Sequence, residues 1–165
     1  PHEKKVSENN NKIKFQLESA VILNLAKEKD NIESLMKIIA SDDPSTEKRV
    51  PASTYSNLIA ADESVEILKY TLDKEPREMN VLLSLHFTFS SLRSFLSQIE
   101  NYYGFRNQQP FELKNCASGR IETEEDIYNE LNKFLEILDY SEKKKLEWKD
   151  LVSDWEVDNP YSCFT

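Results

Sequence analysis

From Leu82 the chain places Leu85, Phe89, Leu92, Leu96, Ile99 and Tyr103 at strictly alternating intervals of three and four residues. That 3.5-residue repeat holds one seam against a neighbour for about six turns, the pattern of helices packed knobs into holes. A strand cannot satisfy it, because successive strand residues point to opposite faces. Leu83, Phe87 and Phe95 widen the stripe, so the helix is expected to touch more than one neighbour, as in a bundle core rather than a two-stranded coiled coil.

Both ends of this helix are written locally. Pro76 suits a first helical turn, where its missing amide proton costs nothing, with Glu75 and Glu78 near the positive end of the helix. Gly104 accepts the left-handed conformation usual just past a helix. Upstream, a polar run from Ser7 to Lys12 leads into Ile13, Leu17, Val21, Leu25, Ile32, Leu35, Met36 and Ile39, spaced to share one helical face. The face thins at Lys27-Glu28-Lys29-Asp30-Asn31, and one continuous helix over 7–40 is favoured over two joined by an irregularity. Ser41-Asp42-Asp43-Pro44 ends it.

After a polar loop from Ser45 to Pro51, Ser53 can cap a short helix burying Tyr55, Leu58 and Ile59, and Asp62 or Ser64 a second one burying Val65, Leu68 and Leu72. Residues 105–122 lack a sustained period and read as a long loop. Thr123 with Asp126 resembles a capping box ahead of Ile127, Leu131, Phe134, Leu135 and Leu138. Two readings stand open for the last helix, whose apolar positions are Leu146, Trp148, Leu151, Val152 and Trp155: a cap at Ser141, or continuity through Asp139-Tyr140. The expectation is a single all-α domain over 1–165: an antiparallel helical bundle with two or three long helices and a short helix pair, and tails at 1–6 and 158–165.

Composition narrows the partners. Thirty Asp and Glu against 21 Lys and Arg give a formal charge of −9, which repels phosphate backbones, so nucleic acid is not expected. Only 2 Gly and 6 Pro leave few of the turns a sandwich or barrel needs. Cys116 and Cys163 lack metal-ligand spacing and read as two free thiols, with one bridge as the alternative. No apolar run reaches the roughly 20 residues that span a bilayer. The chain opens Pro1-His2-Glu3 without methionine, which leaves room for a segment upstream.

The chemistry-bearing residues form no catalytic constellation, metal site or cofactor loop, and an enzyme is not expected. His86 has no second histidine nearby in sequence and reads as packing. Glu122, Glu124, Glu125, Asp126 and Glu130 crowd a helix start, where the dipole favours them, and Asp42-Asp43 reads as a helix-ending turn. Ser90, Ser91, Ser94 and Ser97 have no nucleophile elbow and read as a polar or close-packed face. Lys143-Lys144-Lys145 reads as a solvated face, and Trp148 with Trp155 as core. The candidates for contact with a protein partner are Phe105, Arg106, Phe111 and Arg120 in the long loop, and Trp155 near the end.

Leu17-Glu18 with Asn24, Tyr55 with Leu58, and the Leu- and Phe-rich helix from Leu82 to Tyr103 together resemble the soluble helical part of small prokaryotic membrane-anchored proteins. The resemblance spans the first two-thirds of the chain. It implies an upstream transmembrane tether, a place at the cell membrane and a non-enzymatic interaction or sensory role. The alternative from charge and size is a soluble, cytoplasmic, acidic inhibitor or immunity-type protein that masks a basic partner.

Overall fold

The computed structural model describes residues 2–71, 74–105, 121–139 and 147–154, with backbone alone for 2–7 and 154. These residues form five helices and no strand: α1 (His2–Ala40), α2 (Ala52–Lys69), α3 (Pro76–Tyr102), α4 (Glu124–Leu138) and α5 (Trp148–Asp154). Side-chain pairs fix the path. Asn57 of α2 donates to the Asn24 carbonyl and to Glu28 of α1. Tyr55 and Asp62 of α2 meet Glu100 and His86 of α3, and Phe95 of α3 and Tyr103 just past its end meet Phe134 and Glu124 of α4. From α2 onward, residue numbers rise on one helix as they fall on its partner, so neighbours run antiparallel. Asp139, one residue past α4, then returns to Lys29 of α1 at 2.6 Å, and α4 packs along α1 to close the bundle.

The seam is the core of this bundle. Leu82, Leu85, Phe89, Leu92, Leu96 and Ile99 are all buried, and Tyr103 packs on them half-buried. Phe95 is buried as well, while Leu83 and Phe87 are partly covered. Each fully buried leucine or phenylalanine contributes about 1.5–3 kcal/mol relative to exposure. Beyond α3, Gly104 has φ +87°. Its amide donates to the Asn101 carbonyl and the Phe105 amide to the Glu100 carbonyl at 2.8 Å, the paired bonds of a Schellman ending. The Thr123–Asp126 capping box is present in both directions.

Four expectations are corrected. The two short helices expected from Ser53 onward are one helix, α2, because Leu58, Ala61, Val65 and Leu68 form an unbroken buried stripe through the supposed junction; Leu72 lies outside the described residues. Neither Ser53 nor Asp62 caps it: the N-cap position is Pro51, without a side-chain cap bond, and Asp62 is engaged across the bundle instead. Backbone helix begins at His2, where a tail through residue 6 is expected. Ile13 is 52% exposed, so the buried stripe of α1 starts later, with Leu17 half-buried and Val21 fully so. Within the thinned stretch of α1, Lys27 and Asp30 are exposed, but Glu28 is inaccessible and Lys29 nearly so, the latter neutralised by Asp139. Helix α1 is therefore continuous, as favoured from the sequence.

At about 1.5 Å per residue, the 15 residues of α4 cover roughly 22 Å of a partner near 58 Å long. Helix α5 packs against α1 and α3 elsewhere. There the Trp148 indole donates to Glu78 at 3.0 Å, and Lys14 of α1 approaches the same oxygen at 3.5 Å. Trp148 is core, as expected, and Glu78 is a buried acceptor as well as a first-turn acid.

Candidate functional site

Helices α2 and α3 leave a trough between them of about 480 Å³. On α2 the residues are Leu58, Ile59, Asp62, Glu63 and Glu66, one flank of the helix at successive turns. On α3 they are His86, Phe89, Ser90 and Arg93, again one turn apart. Leu58 and Phe89 make the buried floor apolar, with the Ser90 hydroxyl side chain buried beside them, and Ile59 stands 38% exposed at the rim. The α2 wall is acidic. Ile67 and Tyr70 continue outward from it at 52% and 79% exposure, on the side of α2 that also carries Ile59 and Glu63.

The charged groups differ in how they are held. His86 Nδ1 lies 2.8 Å from Asp62 Oδ1, an acid partner that the packing reading of this histidine does not name. The Phe87 ring meets the imidazole edge-on at 6.0 Å. Glu66 is paired with Lys69 at 3.2 Å. The Arg93 charge acts on the Tyr55 hydroxyl, which donates to Glu100. Glu63 is exposed and has no ion-pair partner among the described residues.

Bonding to Asp62 raises the His86 pKa above the ordinary 6.5, against the opposing effect of burial. The pair therefore stabilises the fold in full below pH 6.5, where the histidine is charged in both states, and loses that contribution as pH rises through the folded value. A histidine Cε1 NMR titration is expected to place His86 above 6.5, and Asp62→Asn is expected to bring it back down. A wild-type midpoint at or below 6.5 would show that the pair does not form.

Ser90 lies one turn from His86 in the same trough, so acid, imidazole and hydroxyl are close in space. They do not make a nucleophilic triad. No hydrogen bond joins Ser90 to the imidazole, and backbone amides in the middle of α3 are committed to the helix and form no backbone oxyanion hole. No cluster of three potential metal ligands occurs among the described residues.

The sequence candidates fall elsewhere. Phe105 is the residue that completes the α3 ending, half-buried, with the Arg49 guanidinium 4.8 Å from its ring centre. Arg49 also holds Glu100 at 3.2 Å, so Phe105 belongs to a clamp that pins the α1–α2 loop to α3. Arg106, Phe111, Arg120 and Trp155 lie outside the described residues, as do Ser141, Lys143 to Lys145, Cys116 and Cys163. The acidic helix start is accounted for by Asp126, whose carboxyl is held down by the Glu122 and Thr123 amides. Glu124 is held down by the Tyr103 hydroxyl and Lys48. Asp43 accepts from the Ser45 amide and hydroxyl at the expected turn. What the sequence reading missed is the trough itself, whose clearest trace is Ile59, Ile67 and Tyr70 recurring off the buried stripe of α2. Comparison with protein-family models, with curated proteins and with solved structures found no match to this chain.

Proposed function

We propose that this chain is a non-catalytic interaction domain that receives a protein partner in the α2–α3 trough. The observation that carries this reading is the juxtaposition of an apolar floor, a half-exposed Ile59 and a row of uncovered apolar side chains beside it. Exposed apolar surface of this kind costs free energy in water, and contiguous patches mark docking sites. The buried acids point the same way: Glu78 and Glu100 are consumed in contacts that hold helices together. An upstream membrane tether is proposed on the resemblance alone. Among the described residues no helix is long and apolar enough to cross a bilayer.

The test is site-directed photocrosslinking in cells that express the full-length gene. A photoreactive side chain at position 59 or 67 is expected to give a discrete protein adduct that a neighbouring Glu63→Lys substitution weakens. Adducts arising only from a remote face, such as position 33 of α1 or 136 of α4, would place the partner elsewhere and overturn the reading.

A further inference from the structure

We propose that the occupant of the α2–α3 trough is a cationic amphipathic helix of the partner, with apolar side chains on Leu58 and Phe89 and lysine or arginine against Glu63 and Glu66. This rests on the reading of the trough as the docking site. The shape selects a helix. Two antiparallel helices present a straight furrow whose lining repeats every turn, about 5.4 Å, and a third helix can lay a ridge of i and i+4 side chains into it. An extended segment gains affinity mainly by pairing with free backbone groups at a sheet edge, and the interiors of α2 and α3 expose none.

Charge selects the sign. Asp62 is engaged with His86 and Glu66 is shared with Lys69, but Glu63 stands unpaired among the described residues and half of the Glu66 side chain remains open, at 45% exposure. The opposite wall supplies Arg93, whose charge acts toward Tyr55. The molecule as a whole carries −9, so a cationic ligand is steered in and an anionic one repelled. A second copy of this chain would set one acidic wall against another.

The experiment titrates the full chain with a fluorescent leucine–lysine amphipathic peptide about as long as α2, and with a leucine–glutamate peptide of the same pattern. The lysine peptide is expected to bind at least about tenfold more tightly. The double variant Glu63→Lys/Glu66→Lys is expected to weaken it about tenfold, whereas Glu33→Lys/Glu136→Lys, with the same change in net charge on exposed remote faces, should change it less than about threefold. Circular dichroism of both variants checks that the fold is kept. Equal weakening by the two pairs means attraction by net charge alone and overturns the proposal. Absence of lysine-peptide binding, or equal binding of both peptides, also overturns it. If crosslinking at position 59 still captures a protein in that case, the trough stands as a docking site and only the cationic helix is lost.

Discussion

Phe89→Asp is expected to abolish the native state. Phe89 is 2% exposed at the centre of the α3 seam, and removing a buried phenylalanine alone costs about 3–5 kcal/mol. The new carboxylate would be buried in an apolar floor, adding several kcal/mol more or forcing protonation. Together these approach or exceed the roughly 5–15 kcal/mol that a domain of this kind has in total. Far-UV circular dichroism should lose its cooperative urea transition. Phe89→Leu, which keeps an apolar floor, should cost only about 1–1.5 kcal/mol and stay folded. The comparison also decides what the seam is for. A Phe89→Asp chain that stays folded and merely ceases to self-associate would make the seam an intermolecular one, contrary to its burial within a single chain.

That seam was legible because its information is local and repetitive: each of its residues reports helical phase, and the phase persists to Tyr103. The Thr123–Asp126 box and Gly104 were legible for a similar reason, since a cap is specified by residues three or four apart. Helix α2 was misdivided where two chemistries compete at one residue. Asp62 has the side chain of a cap, but its oxygen is taken by His86 from 24 positions away, and no local pattern announces that. The trough failed to show for the same reason. Glu63, Glu66, His86 and Arg93 look like an ordinary polar surface until α2 and α3 are set antiparallel. Around Glu28 the local pattern left the opposite gap, because Glu28 and Lys29, charges that seem to interrupt an apolar face, are enclosed by it.

Glu28→Gln is expected to stabilise the protein, increasingly so as pH rises. Glu28 sits fully buried between α1 and α2. Its carboxyl accepts from the Asn57 amide at 3.3 Å and, more distantly, the Asn31 amide at 3.5 Å. No cation pairs with it among the described residues, as its neighbour Lys29 is bonded to Asp139. Burial outweighs the two amide donors and pushes the carboxyl from its ordinary 4.5 up to about 8. Between those values the folded state keeps a proton that the unfolded chain releases, so folding loses about 1.4 kcal/mol for each pH unit across the window. Below 4.5 the penalty vanishes, because both states are protonated, and above about 8 it stops growing. Glutamine presents the same shape with nothing to ionise. At pH 7 it should gain up to about 3.5 kcal/mol, and it should flatten the decline in stability between about pH 5 and 8. The carboxyls held down at Asp43, Glu124 and Asp126 act with the opposite sign and at lower pH, so they leave this window clear. His86 shares the direction of the Glu28 effect above pH 6.5, and a His86→Gln background separates the two. Urea unfolding at about pH 5.5, 7 and 8.5 is the measurement. A gap between Glu28→Gln and the parent that fails to widen with pH would mean that Glu28 is ionised in the folded protein and that a compensating charge reaches it.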